Sequence, residues 1–151
     1  MSPAPSYAQE DAGFTLIELL VGIAVLSLVF AVSTPLLRGP PAPARVAADA
    51  AHLAAALRVT RAAAMAQNRE MALTVSPSRG AYASPVVPDH YLAPRTELSL
   101  TVGRSERSSS GGRIRFFPNG RSTGGDILLR LSSAQARVQV NWATGHVSVT
   151  R

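Results

Sequence analysis

The hydrophobic and polar positions divide the chain into three regimes. From Phe14 to Leu37 nearly every position is apolar, and Leu19–Leu37 holds 19 residues without a charge. As a helix that run spans about 28 Å, close to the hydrocarbon thickness of a bilayer. From Val46 to Glu70 an alanine-rich segment places Val46, Ala50, Leu53, Leu57 and Ala64 near one face at helical spacing. Beyond Glu70 the period falls to two. Met71, Leu73 and Val75 alternate with small or polar residues, as do Leu98, Leu100 and Val102, Ile114 and Phe116, and Ile127, Leu129 and Leu131. Val138, Val140 and Trp142 continue the pattern, and Val147 and Val149 end it. Such alternation marks half-buried antiparallel strands, and it places Trp142 in the core.

Punctuation separates these regimes. Three prolines in residues 40–43 predict a break or kink between the apolar run and the second helix. Asn119-Gly120 and Thr144-Gly145 read as turns between strands. Ser105–Gly112 reads as a flexible exposed loop, and Pro85, Pro88 and Pro94 mark a second irregular connection. The fold class is α+β, with a long N-terminal helix followed by a C-terminal antiparallel β-sheet head.

Three readings compete for the apolar run. As a cleavable secretory signal, it offers small residues at Ala31-Val32-Ser33 and predicts a mature start at Thr34. Against this, no Lys or Arg precedes Phe14, and the run exceeds the usual apolar core of a signal peptide. As a plain single-span anchor, it leaves Glu18 unexplained. A carboxylate deep in a membrane helix costs on the order of 2.5–3.5 kcal/mol on insertion scales, so it is a functional candidate that needs a partner.

The third reading supplies that partner. "AGFTLIELLVGIAVL" resembles the class III signal of type IV pilins and type II secretion pseudopilins. The resemblance implies a leader over residues 1–13, cut by a prepilin peptidase after Gly13, with methylation of the new N-terminal Phe14. It implies a transmembrane and assembly helix over residues 14–37, in which the Glu18 carboxylate neutralises the N-terminal ammonium of a neighbouring subunit. Opposite charges attract far more strongly in a low-dielectric setting than in water, so the pairing would help set subunit register. Pro35 falls where pilin helices often carry a kinking proline. The leader departs from the family pattern by ending in Glu10-Asp11, with no basic residue before Arg38, against the positive-inside expectation.

The head narrows the resemblance. "RIRFFPNGRSTGGDILLRL" and "VQVNWATGHVSV" are similar to the heads of H-type minor pseudopilins, the GspH/FimT group, with His146 where that group typically has Arg. This implies a periplasmic helix over residues 38–70 and a pseudopilin head over residues 71–151. It implies a single-pass protein of the bacterial inner membrane with its head in the periplasm. The implied partners are other minor and major pseudopilins, the prepilin peptidase and the inner membrane. The implied role is assembly near the tip of a periplasmic pseudopilus that helps export folded proteins across the outer membrane.

Composition and candidate chemistry change this picture little. There is no cysteine, which excludes disulfides, thiolate metal sites and a cysteine nucleophile. His52, His90 and His146 are scattered without metal-ligand spacing, so no metal or cofactor is expected. The glycine-rich Ser-Thr-Gly-Gly segment lacks the ending of a phosphate loop, and Gly124 and Gly125 are expected to supply turn dihedrals. No catalytic constellation is present, and the chain reads as a peptidase substrate and not as an enzyme. The formal charge is +6, and every basic residue is Arg. Arg104, Arg107, Arg113, Arg115 and Arg121 could rim the Ser/Gly loop, and the alternative function is therefore a FimT-type minor pilin whose basic rim binds nucleic acid.

Overall fold

The computed structural model describes residues 14–36 and 39–151, without the side chains of residues 32–36. The chain divides into two compact units, with the boundary between Gly39 and Pro40.

The first unit is helix α1, Leu16–Leu36. Thr15 starts it: its carbonyl accepts from the Glu18 and Leu19 amides, and its Oγ1 accepts from the Glu18 amide at 3.3 Å. A Thr three residues before a Glu is the sequence of a capping box, in which the side chain satisfies a first-turn amide that has no helical partner. Pro35 falls in the last turn of α1, with its side chain among those not described, and the cleavage site expected at Gly13 lies outside the described residues.

The second unit begins with helix α2, Ala42–Ala66. It starts inside the expected proline break, because Pro43 occupies the first turn, where a missing N–H is harmless and a fixed φ is favourable. It ends before Glu70. Asn68 takes a left-handed φ of 47°, its amide donates to Met65 O, and the Arg69 amide donates to Ala64 O. That pair of bonds is a Schellman cap built on Asn instead of Gly.

The rest of the head is built of strands: β1 Met71–Ser76, β2 Ala81–Ser84, β3 Val87–Tyr91, β4 Glu97–Thr101, β5 Arg107–Ser108, β6 Gly111–Phe116, β7 Gly125–Leu131, β8 Ala134–Val140 and β9 Val147–Thr150. They form a five-stranded sheet in the order β3-β2-β1-β6-β5 and a four-stranded sheet in the order β4-β7-β8-β9, with every pairing antiparallel. The α2 helix packs on strands of both sheets.

The core closes where the three layers meet. Leu53 and Leu57 from α2, Leu73 from β1, Ile114 and Phe116 from β6, and Ile127 and Leu129 from β7 are fully buried in one cluster. All five residues assigned to the apolar face of α2 lie in it. Thr60, also buried, donates to Ala56 O at 2.8 Å and accepts from the Ser84 hydroxyl on β2 at 3.0 Å, so its hydroxyl is satisfied inside the core. Gly125 serves this packing and not a turn. Its φ is not positive, and a Cβ there would lie 2.8 Å from Ile114 Cδ1, so its bareness lets the two sheets approach. Gly124, at φ 73°, does supply a turn dihedral.

Two expectations are corrected by this architecture. The irregular connection around Pro85 and Pro88 is the β2–β3 hairpin, and Pro88 is tolerated because β3 is the edge strand of its sheet. The Ser105–Gly112 segment is not a free loop. A short 3-10 turn, Arg104–Glu106, leads into the β5–β6 hairpin and buries Glu106.

Two of the remaining sheet edges are also constrained. β5 is two residues long. On β9, the outward-facing carbonyl of Val147 accepts from Arg58 Nη2 of α2 at 3.1 Å.

Candidate functional site

The residues singled out for function fall in two places, at the start of α1 and across the head. Phe14 lies just before α1 and is 82% exposed. Glu18 lies in the first helical turn, where the unsatisfied amides make the helix end positive and favour a carboxylate. Among the described residues no cation pairs with it.

The surface of α1 is unusual for a folded chain. From Leu16 to Phe30 every large apolar side chain is more than half exposed, on every side of the helix. A helix that is apolar all round belongs in a hydrophobic surrounding, either lipid or packed neighbours. Among the described residues, no helix is long and apolar enough to cross a membrane.

In the head, the five arginines considered for a basic rim do not act alike. Glu106, 5% exposed, accepts from Arg113 Nε at 2.9 Å and from Arg115 Nη2 at 2.7 Å. Arg115 also reaches Glu70 Oε2 at 3.2 Å, and its pKa is raised, chiefly by the hydrogen bond to Glu70 and then by the charge of Glu106. Two of the five guanidinium groups are therefore already satisfied by carboxylates, and they tie β6 to the turn before β5 and to the end of α2's cap. Arg104 and Arg107 remain on that turn and strand. Arg121 is elsewhere, with its guanidinium over the Trp142 ring at 5.6 Å.

Trp142 overturns its core assignment. It is 62% exposed, because β8 ends at Val140 and the chain turns at Asn141. The Asn141 Oδ1 accepts the amides of Ala143 and Thr144, and its carbonyl accepts the Gly145 amide. Arg61 of α2 fixes this loop from below, donating through Nε to Gly120 O and through Nη2 to Thr144 O, each at 2.9 Å. Gly145, at φ 63°, is required: a Cβ there would collide with Gly120 O and with Arg61.

The histidines are less scattered than their positions imply. His52 of α2 stacks on His90 of β3 with ring centroids 5.5 Å apart, and His90 meets Tyr82 at 5.1 Å. Among the described residues no group of three or more metal-ligating side chains forms. Near this cluster, Asp49 of α2 accepts from the Ala93 amide and Thr96 Oγ1, each at 3.2 Å. Burial, then the Asp49 charge, pushes the Tyr82 phenol up to about 12.

Sequence reasoning missed Glu106, Asp49 and Arg61. Only the register of β6, which turns Arg113 and Arg115 toward one side, would have pointed to a buried acid between them.

The fold and the sequence both match known proteins. The chain matches the family model for type II transport protein GspH over residues 49–144 and that for the prokaryotic N-terminal methylation motif over residues 10–34. It is 32% identical over 145 residues to type II secretion system protein H of Xanthomonas campestris, covering 95% of this chain and 86% of that one. Among solved structures, the minor pseudopilin EpsH from the type 2 secretion system of Vibrio cholerae superposes with a TM-score of 0.57 at 10% identity, covering 70% of this chain and 96% of EpsH. The type IV minor pilin FimU of Pseudomonas aeruginosa gives 0.55 at 13% identity, covering 70% and 88%. At those identities the structural likeness shows the pilin-like fold, and the family follows from the sequence: this protein belongs to the GspH family of type II transport proteins.

Proposed function

We propose that the chain is a minor pseudopilin of a type II secretion system, processed after Gly13 and methylated at Phe14. It acts by assembly and not by catalysis. The apolar run over residues 14–37, of which α1 is the described helical part, is the single inner-membrane span before assembly and the packing element of a filament afterwards, with the head in the periplasm. The observation that carries this reading is the exposed apolar surface of α1 beginning directly after Phe14 and Glu18. Such an exposed apolar surface calls for a hydrophobic surrounding, and a filament of like helices provides one. Glu18 is the one charge in that helix, and the ammonium at a neighbour's processed N-terminus would neutralise it. The partners are other pseudopilins and the prepilin peptidase, and the assembly works near the tip of a pseudopilus that moves folded proteins outward. Nucleic-acid binding is not favoured, because Glu106 and Glu70 neutralise the centre of the proposed basic rim.

Intact mass and N-terminal sequencing of the membrane-bound protein, made with and without the peptidase, test this directly. The expected mature chain starts at N-methylated Phe14 only when the peptidase is present. An uncut chain, or a start at Thr34, would overturn the reading.

A further inference from the structure

The loop that carries Trp142 stands between two depressions of the head. One, of about 720 Å³, is lined by Trp142 with Gln139, Asn141, His146 and Ser148 among others. The other, of about 530 Å³, lies along the end of α2, where Arg58, Arg61 and the half-exposed Met65 meet Gly145 and His146. His146 lines both, so the two are continuous around one hairpin.

The charges on this surface are one-sided. Neither depression is lined by an Asp or a Glu. Arg58 and Arg61 donate to backbone carbonyls, and Arg121 lies against the indole, so among the described residues none of the three is paired with a carboxylate. The nearest acid on that sheet, Asp126, is engaged by Gln139 Nε2 at 2.9 Å and faces Arg137 at 3.7 Å. Three guanidinium groups and an exposed indole on a hydrogen-bonded loop therefore form a cationic surface with an aromatic centre. Trp and Arg are the residue types that most often anchor protein interfaces, and a rigid aromatic loses little conformational freedom on docking.

We propose that this surface docks the head of another pseudopilin through an acidic segment, with an apolar side chain of that partner lying on Trp142 and its carboxylates reaching Arg121 and Arg58. The docking site rests on the pseudopilin reading above, to which it adds a contact surface in the head separate from α1. Charge complementarity selects the partner: a basic or neutral surface would leave the three guanidinium groups unanswered, and a like-charged one would be repelled.

The test is photo-crosslinking in cells of the full chain with its own secretion system co-expressed. Trp142→p-benzoylphenylalanine is expected to give an adduct with another pseudopilin, mapping by mass spectrometry to an Asp- or Glu-containing stretch of that partner's head. The same substitution at Tyr91, which is exposed on β3 of the other sheet, is expected to give no such adduct. Adding Arg121→Glu should lower the Trp142 adduct about tenfold or more, and charge reversal at the mapped partner acid should restore it. A crosslinker at Leu20 in α1 separates the two claims. Pseudopilin adducts from Leu20 but none from Trp142 would overturn the docking surface and leave the family role standing, whereas none from either position would overturn both. An adduct from Trp142 only to a second copy of this chain, or one insensitive to Arg121→Glu, would also overturn the proposal.

Discussion

The two helices of this chain are close in length and opposite in how they are satisfied. The α2 helix, 25 residues, buries Val46, Ala50, Leu53, Leu57 and Ala64 against two sheets of its own unit and caps its own C-terminus. The α1 helix, 21 residues, presents Leu16 through Phe30 outward on all sides. One helix is completed by the sheets of its own unit, and the other leaves its apolar side chains exposed. A single polypeptide can thus keep an independently packed head beside a helix whose apolar surface calls for a hydrophobic surrounding.

The sharpest way to break that contrast is to cut into each helix's surroundings equally. Phe116→Ala, at a fully buried position, should lower the unfolding free energy of the head by about 3–5 kcal/mol in urea denaturation, through lost burial and the cavity left behind. Leu20→Ala should leave the same unfolding curve unmoved. An equal response from both would mean that α1 is part of the head's folding unit.

A smaller effect comes from the contact between α2 and the β2–β3 hairpin. Below pH 10 Tyr82 is neutral in both folded and unfolded chains. Above pH 10 the unfolded chain releases its phenolic proton first, because the folded value is held near 12. The head should therefore lose roughly 2–3 kcal/mol between pH 10 and 12, at about 1.4 kcal/mol per pH unit. Thermal melts across that range should show the loss flattened in Tyr82→Phe.

The smallest effect sharpens how α2 ends. Asn68→Gly should raise the melting temperature slightly, by the equivalent of up to about 1 kcal/mol, since Gly takes a left-handed φ without the Cβ penalty. A loss of stability would show that the Asn68 side chain contributes more than its backbone geometry.

Legibility in the sequence followed one-sidedness of burial. β1, β4 and β6 to β8 could be read because each has one face on the core, so alternation is visible without knowing a partner strand, whereas in β9 only Val147 is buried and Val149 is exposed. β2 was hidden because Ala81 and Tyr82 are both buried in succession, and β3 because Pro88 reads as a breaker unless its edge position is known. Trp142 kept the right parity with Val138 and Val140, and only the hydrogen bonds of Asn141 show that the strand has already ended. Glu106 lay in a stretch whose composition says loop, and its burial depends on two arginines of the next strand. For the candidate site, the N-terminal motif was legible because its residues are contiguous. The surface around Trp142 was not, because Arg58, Arg61, Arg121 and Trp142 come from three separated parts of the chain and only folding assembles them.

The guarded strand edges bear on how such a subunit avoids polymerising in the wrong way. A protein concentrated in rows with copies of its relatives is under constant risk of cross-strand growth, which ends in insoluble aggregate and is hard to reverse. Pro88 on β3, the brevity of β5 and the arginine that occupies Val147's carbonyl each withhold a backbone template from a neighbour. On three of the head's four sheet edges, a neighbour is therefore offered fewer free backbone groups to add a strand to.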